Sequence, residues 1–271
     1  MTGNPLGSIT DPLTILSWNI SGQNVSFKDT RSLQDKYSEI IGIIMSLDPD
    51  ILCLQEIDSS FLSMLTQLGS HELISKVKSH CLQTAILIKP HLVENATKVD
   101  LNANLKDTIV DLTGSDQIGE EQSQELSIIP AASMDLIIED ITIRFHSVHL
   151  PPFKDGAYNR LLSIHQIMSS SSIPDVIIGD TNMRDSETTS IRKLNDLWIL
   201  YGSQNHNRFT WNSKVNKYHS DGYPFTCRFD RMLSTLKCHV VEFDLVGTEM
   251  NDCGCFLSDH FGIFTQVQFQ Y

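Results

Sequence analysis

The chain lacks a surplus of positive charge: 20 lysines and arginines stand against 33 aspartates and glutamates in 271 residues, a net charge of −13. That balance excludes a general nucleic-acid coat, because duplex affinity is built from a basic stripe laid along many phosphates. It leaves room for one phosphate site whose positive charge comes from a divalent cation. Long apolar runs are missing too. None reaches the roughly 20 residues that span a bilayer, so no membrane association is expected. The first residues, MTGNPLGSITDP, carry neither a basic nor an apolar leader segment, and a cleaved signal peptide is not expected. Among six cysteines there is no CxxC pair. Cys253-Gly-Cys255 is half of a zinc pattern with nothing nearby to complete it, so reduced thiols in a cytosolic or nuclear setting are expected.

What is present is ordinary globular material, 41% hydrophobic and 20% charged, arranged as irregularly alternating strands and helices without a repeat. Leu13 to Asn19 reads as a short buried strand. Over 31–48, Leu33, Tyr37, Ile40, Ile41, Ile44 and Met45 fall on one helical face, with Thr30 or Asp29 as cap and Pro49 as the stop. Ile51 to Glu56 is a strand ending in a carboxylate, and Ser59 is placed to cap a second helix. Further strands are expected at Thr84–Ile88, Thr108–Leu112, Asp175–Gly179, near 208–211, 228–234 and 239–246, and in a last alternating run through Ile263, Thr265, Val267 and Phe269. Residues 135–150 read as a hairpin turning at Glu139-Asp140. A helix over 157–169 has Tyr158, Leu161, Leu162, His165 and Met168 on one side, which makes His165 a core histidine. His71, His80 and His91 have no motif around them and are expected in solvent. Residues 1–12 read as an extension, 13–271 as one domain, and the acidic, polar stretch 101–133 as a surface insertion. A single core with helices outside β-sheets is the economical architecture.

Several strands finish in residues able to hold a metal or a proton: Trp18-Asn19, Gln55-Glu56, His149 and Gly179-Asp180-Thr181-Asn182, with Ser258-Asp259-His260 near the end. One strand-terminal carboxylate is commonly a turn residue. Several on one sheet edge converge, and two facing sheets would bring Asn19, Glu56, His149, Asp180, Asn182 and His260 into one cleft. The set suits metal-assisted hydrolysis of a phosphate ester. Glu56 is a hard oxygen donor for Mg²⁺. Asp180 can take a proton from an attacking water, and Asn182 can hold that water in line. His149 and His260 can donate to the non-bridging oxygens, with Asp230 a candidate to hold a protonated imidazole.

The ordered series S-W-N at 17–19, L-Q-E at 54–56, H-L at 149–150, G-D-T-N at 179–182 and S-D-H at 258–260 resembles the endonuclease/exonuclease/phosphatase superfamily. Within it the nearest likeness is to the 5′-tyrosyl-DNA phosphodiesterases, on TAILIK (84–89), GDTNMRD (179–185), FTW (209–211), RFDRM (228–232) and DCGCFLSDHFG (252–262). The resemblance implies a four-layer α/β sandwich of two mostly antiparallel sheets flanked by helices. It also implies one Mg²⁺ or Mn²⁺ at Glu56 with Asn19 and Asp259 nearby, and a DNA 5′ end carrying a tyrosyl or peptide adduct as substrate. Arg184 and Trp211 match positions at which the family touches substrate. Arg184 could instead bridge Asp185, and Trp211 could pack beneath the Asp180 loop. Two stretches depart from the pattern. Pro151-Pro152-Phe153-Lys154 stands where the family has a polar, substrate-touching segment, and the stretch before the hairpin is acidic rather than basic. Hydrolysis of another phosphoester therefore stays open, as in abasic-site nucleases, phosphoinositide phosphatases or sphingomyelinases. A third possibility, a binding module that kept the fold, has no use for Glu56 or Asp180. No obligate protein partner is evident.

Overall fold

A computed structural model of the chain describes residues 10–79, 82–102, 129–170, 172–191, 193–220 and 222–271. Two six-stranded sheets dominate it. The first has the order β13 (Lys237–Val246), β14 (Gly262–Gln270), β1 (Leu13–Asn19), β2 (Ile51–Ile57), β4 (Leu82–Ile88), β3 (Glu72–Ser79). The second runs β5 (Ala96–Val99), β6 (Ala131–Ile138), β7 (Ile141–His149), β8 (Asp175–Asp180), β12 (Asp230–Ser234), β9 (Asn195–Asp196). Each sheet contains one parallel pair, β1 with β2 and β7 with β8, and is otherwise antiparallel. Apolar side chains from both sheets, among them Ile15, Cys53, Ile86, Phe145, Ile178 and Phe269, fill the space between them. Outside the first sheet lie α1 (Leu33–Leu47) and α2 (Ser59–Gln67), and outside the second lies α3 (Ala157–Ser169). This is the four-layer sandwich expected, in which each amphipathic element buries one face.

The local sequence explains the helices, with corrections at their ends. Tyr37, Ile40, Ile41 and Ile44 of α1 are buried, while Met45 lies outside. The helix is capped at Ser32, whose side chain accepts from the Asp35 N–H while Asp35 reaches back to the Ser32 backbone, so neither Thr30 nor Asp29 is the cap. Asp48 turns left-handed before Pro49 and ends it. In α2 the cap is Asp58, not Ser59. The inward face of α3 also differs from the periodic reading: Arg160, Ser163, Ile164 and Ile167 point in, while Tyr158 and His165 are exposed. Arg160 can turn inward because it finds carbonyl and carboxylate partners there. His71 is buried against the Pro49 carbonyl at 2.7 Å rather than solvated, whereas His91 is exposed; His80 lies outside the described residues. The strand β3 was not anticipated, and the expected strand at 108–112 lies outside the described residues. The strand near 208–211 shrinks to β10 (Trp211–Asn212), paired with β11 (Thr226–Cys227).

Register places the strand ends together. Asn19 lies beside Gln55 on β1 and β2, and Asp180 is flanked by His149 on β7 and Asp230 on β12. Because β14 runs antiparallel to β1, with Ile263 opposite Ser17, His260 enters at the same end. Trp211 bridges to His260.

Candidate active site

Asp180 is the hub. It is 1% exposed at the end of β8 and accepts from the Asn19 amide nitrogen (3.0 Å) on Oδ2 and from the Asn182 N–H (3.0 Å) on Oδ1. The Nε2 atoms of His149 and His260 both stand 3.6 Å from its Oδ2. Gly179 before it has φ 130°, and a Cβ there would sit 2.3 Å from the Val148 carbonyl oxygen, so the parallel β7–β8 approach needs glycine. Asn182 follows in a left-handed conformation, its side chain donating to the Leu150 carbonyl at 2.9 Å. The G-D-x-N run is thus a strand end folded back on itself.

Glu56 is aimed by a β-bulge. The β2–β4 register shifts between Leu54 and Ile57, and Glu56 takes φ 52°. Its Oε1 accepts from Asn19 (3.0 Å) and lies 3.7 Å from His149. Asn19 therefore joins Glu56 and Asp180 through its nitrogen, while its oxygen accepts the Ser21 N–H. In this arrangement Asn19 donates to two carboxylates and holds them together.

His260 donates through Nδ1 to Asp230 Oδ2 at 2.8 Å, and the fully buried Trp18 indole donates to the His260 carbonyl. Burial alone would lower its pKa, but Asp230 and Asp180 outweigh burial and hold it well above the ordinary histidine value of 6.5. Asp180 moves the other way from most carboxylates: burial raises its pKa, against the pull of His260. Asp259 is held low despite burial, by the His219 hydrogen bond (2.9 Å) first and then by the charge of His260.

Two residues here were not singled out in the sequence. His219, from the loop after β10, grips Asp259 and stacks near Trp211 at 6.1 Å. Lys36 is buried in α1 and donates to the Ser21 and Asn24 carbonyls and the Tyr218 hydroxyl (2.8, 2.6 and 3.0 Å). Burial pulls its ammonium down to about 7, against Asp259 and Glu56. A lysine at an inward helical position was the available signal; nothing in the sequence marks His219.

All of this opens on a cleft of about 1040 Å³. Glu56, His149, Asp180, Asn182, Asp259 and His260 reach it, with Arg184 and Trp211 at its sides. Asp185 is bridged by Arg208 and Arg231 rather than by Arg184, whose side chain is exposed. Trp211 packs edge-on to His260 and Phe229 and lines the cleft. Among the described residues, Asp180, Asp230 and His260 bring ligand atoms within 4.8 Å of one another and form a group of three able to hold a metal. With Nδ1 committed to Asp230 and the imidazole held protonated, a cation placed among them has to displace that proton.

Two packed sheets with this strand-end cluster define the Endonuclease/Exonuclease/phosphatase family, whose pattern matches residues 16–260; the chain belongs to that family. It is 26% identical over 273 residues to tyrosyl-DNA phosphodiesterase 2 of Danio rerio, a match that takes 93% of this chain and 66% of that protein. The chain thus spans just under two thirds of that relative. Among solved structures, truncated Caenorhabditis elegans TDP2 superimposes with a TM-score of 0.70 at 23% identity, covering 96% of this chain and 98% of that one. Danio rerio TDP2 complexed with single strand DNA product gives 0.70 at 21%, covering 94% and 98%. No helix among the described residues is long and apolar enough to cross a membrane.

Proposed function

We propose that the chain, with residues 13–271 as its catalytic unit, is a Mg²⁺-dependent phosphodiesterase. It hydrolyses 5′-phosphotyrosyl or related phosphodiester ends of DNA by in-line attack of water, in the nucleus or the cytoplasm. The observation that carries this reading is Asp180: a buried carboxylate with a raised pKa, between two histidines, on a chain resembling relatives named for tyrosyl-DNA phosphodiester cleavage.

In this mechanism Asp180 takes the proton from the attacking water, with Asn182 fixing the carboxylate through its backbone N–H. A raised pKa makes Asp180 a better proton acceptor than an ordinary carboxylate. His260, kept protonated by Asp230, and His149 donate to the non-bridging oxygens as charge accumulates. The phosphorus–oxygen bond to the tyrosyl phenol breaks; with a phenol pKa of about 10, that group departs without a strong acid behind it. The donor set fits a hard cation, since Glu56 and Asp259 are carboxylates lining the same cleft and the pKa of Asp259 is held low. Mg²⁺ held by Glu56, with Asp259 near, would neutralise phosphate charge as a Lewis acid. Arg184 can pair with a phosphate and Trp211 can stack on a base.

A second reading keeps the chemistry and changes the ester. A net charge of −13 suits a compact phosphoester such as an abasic site, a phosphoinositide or a sphingomyelin-like diester. A panel of these together with a 5′-tyrosyl oligonucleotide, each with Mg²⁺ and with EDTA, tests both. We expect Mg²⁺-dependent release of tyrosine, lost in Glu56→Gln, which should also weaken Mg²⁺ binding measured by calorimetry. Turnover by that variant in EDTA would refute the metal assignment. Cleavage of an inositol or lipid phosphate without any 5′-linked oligonucleotide turnover would favour the second reading.

A further inference from the structure

The segment after His149 is the least expected wall of the cleft. Pro151, Pro152 and Phe153 all line it, and Phe153 is 79% exposed with φ 65°. A bulky side chain in left-handed backbone is costly and persists only where the surroundings impose it. Here they do. Arg160 of α3, with its side chain fully buried, donates through Nη1 to both the Pro151 and Phe153 carbonyls (2.8 and 2.6 Å). The same guanidinium pairs through Nε and Nη2 with both oxygens of Glu187 (3.0 and 2.8 Å). Glu187 in turn accepts the Arg184 N–H at 3.3 Å. One buried arginine therefore holds two cleft-side segments in fixed relation, one carrying Phe153 and Lys154, the other Arg184. Gly156 completes the clamp, because a Cβ there would lie 2.5 Å from the Pro152 carbonyl oxygen.

The product of that clamp is an exposed ring that lines the same cleft as Arg184 and the catalytic cluster, with the exposed Lys154 next to it in the chain. An aromatic face with neighbouring positive charge is the combination that takes a single nucleic-acid strand, stacking on bases and drawing in the backbone without reading sequence. We propose that Phe153 is a substrate-positioning residue for single strands. It stacks on a base within the first few nucleotides of the strand whose 5′ end is processed, while Lys154 and Arg184 meet the adjoining phosphates. This rests on the phosphodiesterase reading above for the placement of the strand end. It gives the acidic chain a local means of holding DNA, confined to one rim.

The test separates binding from turnover. Anisotropy of a labelled, 5′-phosphorylated single-strand hexanucleotide should show Phe153→Ala binding about 10-fold more weakly than the parent, with Phe153→Trp restored to within about 2-fold. Hexanucleotides lacking one base at each of the first three positions in turn should include one that weakens the parent about 10-fold yet leaves Phe153→Ala no worse. That loss of additivity is what contact between ring and base requires. Equal binding of the hexanucleotide by Phe153→Ala and the parent, or additive losses at all three positions, would overturn the assignment even if 5′-tyrosyl ends are cleaved. A base-dependent defect in Phe153→Ala without release of tyrosine by the parent would leave Phe153 in place and remove the 5′-tyrosyl reading.

Discussion

The strand β8 carries a carboxylate at each end, and each faces a histidine of the neighbouring strand β7. At its start, Asp175 meets His146 Nε2 at 3.1 Å, and the other ring nitrogen, Nδ1, lies 2.8 Å from the Ser133 hydroxyl. At its finish, Asp180 faces His149 and His260. His146 and His260 are both buried, yet their pKa values move in opposite senses. Burial lowers the His146 pKa, and a single close carboxylate does not offset it. For His260, Asp230, Asp180 and Asp259 together overcome the same burial. With burial the largest downward influence on both rings, the additional carboxylates around His260 are what reverse the direction there. The first set closes on itself on the face of the second sheet that points away from the first, beside Ile177. The second opens on a cleft and leaves Asp230 Oδ1 without a partner among the described groups. A serine, a histidine and an aspartate in hydrogen-bonding order are not enough for chemistry; access and uncompensated charge are what differ.

The comparison breaks most readily at its reactive end. Asp180→Asn and His260→Ala should each lower kcat on a 5′-tyrosyl oligonucleotide by at least ~10²-fold, with circular dichroism unchanged, since one positioned base typically contributes ~10²–10⁴. Parental turnover in either variant would make both ends of β8 structural. At the closed end, His146→Leu should leave kcat within about 2-fold and lower unfolding free energy by about 1–3 kcal/mol, because Ser133 and Asp175 lose their partner. Denaturant titration beside kinetics would reveal the opposite outcome.

A subtler change sharpens the electrostatic argument. With a folded pKa above 6.5, His260 keeps its proton above the ordinary value, and the stability this adds is full below 6.5 and lost as pH rises through the folded pKa. Asp230→Asn removes the largest upward influence. The alkaline limb of kcat/KM should then move to lower pH, and an unmoved limb would exclude His260 as its source. The smallest effect concerns length. Shortening a 5′-tyrosyl oligonucleotide from about twenty nucleotides to about six should change kcat/KM by less than ~10-fold, with a salt slope matching about two or three phosphates. Steep dependence would reveal a basic surface on this acidic chain.

Much of this architecture is legible in the chain because short-range patterns carry it. The stripe from Leu33 to Ile44, the run Asp175 to Asp180 and the turn at Glu139-Asp140 give α1, β8 and the β6–β7 hairpin their places. Strand-end carboxylates and histidines could be expected to converge because β1, β2, β7 and β8 finish on one edge. What escaped depended on partners far along the chain. Arg160 sits where periodicity asks for an apolar residue, and only the carbonyls of 151–153 and Glu187 make that tolerable. The strand Glu72–Ser79 carries Ser75, Lys76 and Lys78, which blur its alternation, and pairing with β4 settles it. Two caps fell one to three residues from their expected places because a reciprocal Ser32–Asp35 pair, and Asp58 before Ser59, offered better acceptors. His219 reaches Asp259 across 40 positions of sequence, beyond any local rule.

The tightest approach in the site belongs to a residue with no side chain. A Cβ on Gly22 would lie 1.9 Å from the Glu56 carbonyl oxygen and 3.4 Å from the Asp58 nitrogen. Backbone cannot swing aside as a flexible side chain does, so any missense change at that position displaces Glu56, the left-handed residue that faces the cleft. For the gene, this puts a position with no reactive group under the same constraint as the active site itself. An allele altered there would disturb Glu56 without touching any reactive side chain, and its cause would be invisible to anyone looking only at such side chains.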